Sequence, residues 1–413
     1  MSRGAGQPAG DTSSQSVAGT AAPYTGTAPA DQAGPVPLGA AERLGTPTNF
    51  AATAGQSVVR SGDNQARRRD RYRLRDVLNE VSSLGRCRRC GWRLVGGANG
   101  VPIVLADLVA HFGNLQLCGS VWACPVCGPR VRESRAQEVE AGLAVHLGRG
   151  GGAGFLTTTL PHDQGDALEP LFNTVIEGFR SNLGSRGWLQ DRREFGIVGM
   201  IRSPEITHGA NGWHPHLHAV LLSKAPLAPS SWDTIADGVY VRWAGVVGRA
   251  GYRTPTRERG VTLSAVRSAH DIAQYTAKYE DAGSDRSVGR ELTRHDMKAA
   301  RRAGRTPIEI LRDFEATGDT SDLALWHEYE RVTKGKSSLR WSRGLKRDLG
   351  IGDVSDSDIV NETIAGEILD VLSRTEFRYV KSHRLAALLL EAAEHPDRER
   401  LRDLMRRLRS ETR

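Results

Sequence analysis

The sequence predicts an α+β protein built on an antiparallel sheet with split-βαβ topology, preceded by a cysteine-rich module and followed by a helical region. All five cysteines fall between residues 87 and 127. Strand-like and helix-like segments then alternate in the order β-α-β-β-α-β-α, which is the ferredoxin-like pattern with one extra helix. Beyond residue 284 the chain is charged and shows helical spacing, including a long stretch over 364–393.

The amino-terminal part predicts a tail followed by a basic helix. Residues 1–65 contain few large apolar side chains, and such a composition predicts disorder. The stretch ARRRDRYRLRDVLNEVSS (66–83) predicts a helix in which Arg67, Arg68 and Arg69 are candidate DNA contacts. A solvated helix face is the alternative interpretation of the same residues.

The central part predicts one antiparallel sheet with helices on one face. A predicted helix over 130–148 precedes this sheet. The predicted helix over 166–183 has an apolar stripe formed by Leu168, Leu171, Val175 and Phe179. We expect Ser230 or Ser231 to be the N-cap of the predicted helix over 231–247. The predicted strands are 154–160, 195–207, 214–222 and 260–268, and the predicted helices among them are 166–183, 231–247 and 269–280.

Charge and hydropathy exclude some classes of protein. A formal net charge of +8 and a pI of about 9.4 are compatible with a polyanionic partner. No stretch approaches the roughly 18 apolar residues of a transmembrane helix, and the amino terminus lacks an apolar run of signal-peptide length. We therefore expect no membrane partner and a cytoplasmic location.

The cysteine spacing predicts a structural zinc site. Cys87 and Cys90 form one C-x-x-C pair, and Cys124 and Cys127 form another, which together supply four thiolates for tetrahedral Zn²⁺. Cys118 either replaces one of these ligands or remains a free thiol. The alternative is five buried cysteines without a metal.

Three histidines in HPHLH (214–218) indicate a second metal site. Alternate residues of a strand share a face, so His214, His216 and His218 project together. If 208–213 form a hairpin loop, Thr207 pairs with His214 and Glu205 with His216, which places the carboxylate beside the imidazoles. Such a set suits Mn²⁺ or Mg²⁺, with His214 or Glu205 as the third ligand. A chance run of histidines is the alternative.

Two further segments carry candidate residues. QYTAKY places Tyr275 and Tyr279 four residues apart on one helical face with Lys278 beside them, where a metal-polarised phosphodiester would be open to a tyrosine nucleophile. Packing of both tyrosines against the sheet is the alternative. In SSLRWSRGLKRDLG (337–350), Trp341 and Arg343 suit base stacking and phosphate contact, whereas a buried tryptophan in a helix is the alternative.

These motifs resemble those of the rolling-circle plasmid replication initiators of the HUH endonuclease superfamily, especially from small plasmids of GC-rich Gram-positive bacteria. FLTTTLPH (155–162), EITHGANGWHPHLHAVLL (205–222) and YTAKY (275–279) are similar to the family's three motifs in order, and CPVC after SVWA also recurs there. The resemblance spans roughly 85–350. Together with the composition and the helical spacing, it divides the chain into a tail over 1–65, a basic helix and zinc module over 66–130, an HUH catalytic domain over 131–283 and a helical region over 284–413 that binds DNA or a partner.

The resemblance implies a metal-dependent nickase and strand transferase. His216 and His218 would bind the metal, with His214 or Glu205 completing the set. Tyr279 would attack one phosphodiester of single-stranded or extruded plasmid origin DNA, retaining the 5′-phosphate and freeing a 3′-hydroxyl primer for host helicase and polymerase. Tyr275 stands where single-tyrosine relatives often have a glutamate that is used for a terminating hydrolysis. Tyr275 is therefore a second nucleophile or the primary one, or else another carboxylate such as Glu280 performs the termination.

Two other functions fit the same motifs. Rolling-circle transposases of the same superfamily also join a cysteine-rich module to two tyrosines separated by three residues. A non-catalytic, zinc-dependent DNA-binding regulator of plasmid copy number is the other alternative, and it requires the histidine and tyrosine motifs to be inactive.

Overall fold

A computed structural model describes residues 54–266, 292–293, 304–361 and 365–413. The predicted helix over 269–280, with Tyr275, Lys278 and Tyr279, lies outside the described residues, as do residues 1–53 of the predicted tail. The predicted basic helix is present but begins at Ala54 rather than near residue 66.

Helices and strands are mixed along the described parts of the chain. The helices are α1 Ala54–Val81, α2 Gly85–Arg88, α3 Cys127–Gly148, α4 Leu168–Gly184, α5 Arg186–Glu194, α6 Pro229–Arg249, α7 Arg257–Gly260, α8 Pro307–Thr317, α9 Thr320–Thr333, α10 Leu345–Asp348, α11 Asp356–Asn361, α12 Arg374–Ser382, α13 Ala386–Glu394 and α14 Glu399–Glu411. The strands are β1 Val101–Ala106, β2 Val109–Phe112, β3 Gly152–Thr159, β4 Ile197–Gly209, β5 Gly212–Ser223, β6 Val261–Val266, β7 Arg340–Trp341 and β8 Glu367–Leu372.

The larger sheet has five strands in the order β6-β3-β5-β4-β7, and every neighbouring pair is antiparallel. The four strands predicted for the central part are confirmed to within two residues at each end. Helix α5 was not predicted. Helix α6 begins at Pro229 after Ala228 at the N-cap, so the prediction of Ser230 or Ser231 as the cap is wrong. Proline is well suited to this first position because its missing N–H would have no intrahelical partner there.

Helices cover both faces of this sheet, and the prediction of helices on one face is wrong. On one face, the predicted stripe of α4 is buried and packs with Leu217 of β5 in the same apolar cluster as Trp243 of α6. On the other face, Val220 and Leu222 of β5 pack with Val139 and Leu143 of α3. Strand β5 is central and apolar on both faces there, so its alternation shows only at its histidine end.

A second sheet joins the two ends of the described chain. Its order is β2-β1-β8, so a strand from residues 367–372 pairs with one from residues 101–106. The prediction of continuous helix over 364–393 is wrong at β8, because EILDVL pairs along β1. Around this sheet, Tyr72 of α1 and Ile103 of β1 share a core with Phe377 of α12 and Leu390 of α13. Residues of the predicted zinc module and of the predicted helical region therefore build one core.

No helix within the described ranges combines the length and the apolar character needed to cross a membrane. This finding agrees with the hydropathy of the sequence.

The α4–α6 contact depends on Gly178, and this leads to a stability prediction. A Cβ added at Gly178 would lie 2.4 Å from Val246 Cγ1 and 3.3 Å from Trp243 Cζ3, whereas one added at Gly184 would meet nothing within 4 Å. We expect Gly178→Ala to be less stable than Gly184→Ala by about 1–3 kcal/mol in urea unfolding, because overpacking outweighs the gain in helix propensity. Val246→Ala should restore much of the loss. Equal stability of the two alanine variants would contradict this packing.

Candidate functional site

The hairpin of β4 and β5 fixes which side chains meet. Glu205 pairs with His216, Thr207 with His214, and Ser203 with His218, so the predicted register is confirmed. The predicted loop over 208–213 is too long, because the ladder continues to Gly209 opposite Gly212. Only Ala210 and Asn211 form the turn, and Gly212 follows it with φ of +81°. Glycine adopts this left-handed conformation without strain, which lets the ladder close so tightly.

Glu205, His216 and His218 form a compact group. Glu205 Oε2 lies 3.2 Å from His216 Nε2 and 3.0 Å from His218 Nε2. The three donor atoms all lie within 4.8 Å of one another, and the glutamate is only 4% exposed. A carboxylate buried this deeply requires a cationic or hydrogen-bonding partner. The two imidazoles face it from alternate positions of the same strand.

This geometry fits a small divalent cation. Cis ligands at 2.0–2.1 Å from an octahedral ion are separated by about 3 Å, which is the separation of the glutamate oxygen from each imidazole nitrogen. One oxygen and two nitrogen donors would leave three octahedral positions for water or substrate. The group is therefore able to hold a metal through three protein ligands, on β4 and β5.

Thr157 orients the imidazole of His218. The threonine lies opposite His218 on β3, and its Oγ1 is 2.9 Å from His218 Nδ1. When Nδ1 donates this hydrogen bond, Nε2 keeps its lone pair on the side of Glu205. Thr157 was not among the residues predicted for this site. The sequence feature that could have identified Thr157 is the threonine run within FLTTTLPH, which lies on the strand predicted over 154–160.

His214 lies apart from this group and pairs with His162, which the sequence analysis also missed. His162 Nδ1 donates to the carbonyl of Asn211 at 2.8 Å, and His162 Nε2 is 2.8 Å from His214 Nδ1. A neutral His162 therefore accepts at Nε2 from His214, which leaves a lone pair on His214 Nε2. Burial, followed by the nearby His216 and His162, lowers the pKa of His214 to about 3.

The second candidate centre consists of four cysteines, but not the four that the two C-x-x-C pairs predict. Cys90, Cys118, Cys124 and Cys127 are buried with their sulfurs within 4.8 Å of one another, and Cys87 is not in this group. Cys90 Sγ lies 3.6 Å from Cys124 Sγ and 3.7 Å from Cys127 Sγ. Four sulfurs at 2.3 Å from a tetrahedral Zn²⁺ are separated by about 3.8 Å. The cluster therefore fits zinc, with Cys118 replacing Cys87.

Backbone conformation explains why Cys118 belongs and Cys87 does not. Cys90 and Cys118 are each followed by a glycine of positive φ, at +68° for Gly91 and +63° for Gly119. The turn after Cys118 lets Ser120 N donate to Cys118 Sγ at 3.4 Å. Cys87 instead lies within α2 and is followed by Arg88. Cysteine followed directly by glycine was the sequence signal for this distinction.

A buried arginine accompanies the cysteine cluster. Arg75 is 1% exposed, and its Nη1 lies beside Gly91, where a Cβ would approach it to 2.4 Å. Burial acts to lower the pKa of Arg75, but Tyr72, Asp76 and the nearby cysteine sulfurs hold that pKa above its ordinary value. Four thiolates around a Zn²⁺ ion would carry a net negative charge, and the guanidinium would offset part of it. Arg75 lies in the stretch predicted as a basic helix, but no role was predicted for it.

The candidate DNA contacts lie in different surroundings. Arg67 is exposed, while Arg69 is paired with Glu394 at 3.3 Å. Trp341 of β7 pairs with Ile201 of β4 and packs against Gly142 of α3. The helix of the alternative interpretation is therefore absent at Trp341, although the ring is partly buried. Arg343 is exposed. Arg68 is partly buried, and burial lowers its pKa.

The choice of cysteines leads to a prediction about bound metal. Cys118→Ser should lose most of the zinc of the purified protein, because it removes one of four sulfurs that surround a single point. Cys87→Ser should retain about one equivalent, since its sulfur lies outside the group. Elemental analysis of both variants, purified without chelator, measures this. Zinc loss in Cys87→Ser with retention in Cys118→Ser would reverse the assignment.

Comparison with known proteins reveals relatives among replication proteins. No protein-family model matches the chain, and no solved structure matches it. "Protein rep" of Streptomyces lividans is 31% identical over 310 residues, covering 60% of this chain and 67% of the relative. "Protein rep" of Bacillus amyloliquefaciens is 22% identical over 258 residues, covering 61% of this chain and 68% of the relative.

A relative with a different name matches a shorter part of the chain. "Neomycin resistance protein" of Streptomyces cyanogenus is 27% identical over 294 residues, covering 54% of this chain and 66% of the relative. The likeness to the Streptomyces lividans protein is the stronger, both in identity and in the share of the relative that is covered. With this degree of likeness, the chain belongs to the Rep family of plasmid replication initiators.

Proposed function

We propose that this protein initiates rolling-circle replication by nicking one strand of plasmid origin DNA. The observation that carries the proposal is the Glu205–His216–His218 group, in which a buried carboxylate lies 3.0–3.2 Å from two imidazole nitrogens. Two imidazoles and one carboxylate suit Mn²⁺ or Mg²⁺ while leaving coordination positions for a phosphodiester. This favours Glu205 over His214 as the third protein ligand.

The chemistry divides between the metal site and the tyrosines. A divalent ion at this site would polarise the scissile phosphodiester and offset the charge that develops on it. Thr157, by accepting a hydrogen bond from Nδ1, would hold His218 in the tautomer that presents the Nε2 lone pair. The Tyr279 hydroxyl would then attack phosphorus, giving a 5′-phosphotyrosine and a 3′-hydroxyl, with Lys278 close to the phosphate.

The order of strands supports the same assignment. In chain order, β3, β4, β5 and β6 are joined as β-α-β-β-α-β, and they lie in the sheet as β6-β3-β5-β4. This order supports the proposal of a split βαβ fold, in which the two central strands are the first and third. The candidate metal ligands come from the third strand and its hairpin partner, and Thr157 comes from the first.

The remaining parts of the proposal concern zinc and DNA. A four-sulfur zinc site has no open position, so its role is structural. The DNA would be single-stranded or extruded at the origin, and host helicase and polymerase would use the 3′-hydroxyl. Relatives named as Rep proteins favour an initiator over a transposase, and metal-dependent cleavage would exclude a non-catalytic regulator.

Nicking by Tyr279 is tested by covalent capture of DNA. Wild-type protein with Mn²⁺ and labelled single-stranded origin DNA should form an adduct that survives denaturing electrophoresis. Tyr279→Phe should form none, because phenylalanine has no hydroxyl. Tyr275→Phe should still form the first adduct but fail in a second strand transfer if Tyr275 is a second nucleophile. Full-rate adduct formation by Tyr279→Phe would refute the assignment.

The ligand set is tested by metal binding without DNA. Glu205→Ala should weaken Mn²⁺ binding by about tenfold or more, measured by electron paramagnetic resonance of free Mn²⁺, because it removes the only anionic donor of the group. His214→Ala is the matched control on the same strand face, and we expect a smaller effect, since His214 is paired with His162. A larger loss in His214→Ala would make His214 the third ligand.

A further inference from the structure

A cavity of about 340 Å³ lies beside α2, on elements that do not contribute to the Glu205–His216–His218 group. It is lined from α1 by Asp76, Asn79 and Glu80, from α12 by Lys381, and from α2 and the residues that follow it by Arg88, Arg89, Trp92 and Arg93. An aromatic ring among three arginines is the combination that binds unpaired nucleotides.

The arginines of this cavity are available to a ligand. Arg88, Arg89 and Arg93 are exposed, and none makes an ion pair with any residue that the structure describes. Glu80, one of the two acidic residues of the lining, is already paired with Arg384, which follows α12. Three cationic side chains around one cavity therefore leave a surplus of positive charge for a polyanion.

The inner wall of the cavity holds an acceptor without a partner. Asp76 is 4% exposed, and its Oδ1 receives a hydrogen bond from Lys381 Nζ, but its buried Oδ2 has no hydrogen-bond partner among the described residues. A buried carboxylate oxygen left in this state costs free energy, which an N–H donor of a ligand would recover. The exocyclic amino groups of nucleobases are such donors, and so is the ring N3–H of an unpaired thymine.

Trp92 supplies the surface on which a base would stack. Its side chain is 37% exposed, an unusual degree for a tryptophan, and Lys381 Nζ lies 5.2 Å from the ring centroid. Lys381 is itself held by Asn79 Oδ1 at 2.9 Å, so the ring rests against a fixed ammonium group. A ring supported in this way is preorganised and loses little freedom on stacking.

We propose that this cavity is a second nucleic-acid site, in which one base of single-stranded DNA stacks on Trp92 and flanking phosphates contact Arg88, Arg89 and Arg93. A single strand is favoured over a duplex because a base must leave its stack to enter a cavity and reach Asp76. The choice of DNA as the polyanion rests on the proposed function. The DNA strand would thus bind at the cysteine module, whereas the candidate metal ligands lie on the larger sheet.

The test is binding without cleavage. A full-length Tyr275→Phe/Tyr279→Phe protein, without added Mn²⁺, is titrated into fluorescein-labelled (dT)20 and followed by anisotropy at several salt concentrations. Trp92→Ala should weaken binding by about five- to 150-fold, as expected for the loss of one stacked base. Trp92→Phe should weaken DNA binding less than Trp92→Ala does. Arg89→Ala and Arg93→Ala should each reduce the slope of log K against log salt by about 0.7.

The controls separate DNA contact from folding. Arg180→Ala removes an exposed arginine of α4, 72% exposed in its side chain, and should leave affinity unchanged. Every variant is checked for zinc content, because Cys90 lies two residues from Trp92. If Trp92→Ala fails to fold, Trp92→Phe and photocrosslinking of 5-iododeoxyuridine DNA to wild-type Trp92 decide.

Unchanged affinity in folded Trp92→Ala, or no crosslink to Trp92, would overturn the proposal. Equal dependence on Trp92 for a 20-base-pair duplex would overturn the single-strand assignment. These outcomes are independent of nicking. If the Trp92→Ala protein binds DNA with unchanged affinity, the proposed site is refuted even when the variant nicks normally. Conversely, loss of nicking in Tyr279→Phe leaves the binding result intact.

Discussion

The register of β4 against β5 is the constraint on which the rest of the site depends. Because side chains alternate between faces, a slip of one residue would turn Glu205 away from His216 and His218. Burial on both faces opposes such a slip. Leu217 packs toward α4 and α6, whereas Val220 and Leu222 pack toward α3. The apolar half of β5 therefore holds the polar half in place.

The cysteine cluster extends the same packing. Trp122, between Cys118 and Cys124, meets Phe172 of α4 and Tyr329 of α9 edge-on, with ring centroids 6.3 and 6.4 Å apart. Its Nε1 also donates to the carbonyl of Lys336 at 2.8 Å. The four cysteines thus lie within the apolar cluster that supports one face of the sheet. Loss of a metal here would loosen helices behind the strands that carry the histidines.

The sequence could predict what depends on local geometry. The pairing of Glu205 with His216 follows from strand alternation and a short hairpin, both of which are local properties. Membership of Cys118 rather than Cys87 in the cysteine cluster depends on tertiary structure, because it is decided by which loops reach a common point. In the sequence, only the glycines after Cys90 and Cys118 indicated this membership. Strand β8 was missed because EILDVL has no strong periodicity of its own and gains its hydrogen bonds from β1, more than 260 residues earlier in the chain.

His214 shows how position on a shared face differs from a shared role. It projects with His216, at 5.2 Å between ring centroids, but its Nδ1 is committed to His162. With its pKa lowered to about 3 by burial and by its imidazole neighbours, it remains neutral at any pH where the protein would act. An unfolded chain would bind this proton near pH 6.5, so acidification from there toward pH 3 removes stability through this residue. The charge of the candidate ligand group is then set by Glu205, and His214 adds no positive charge beside it.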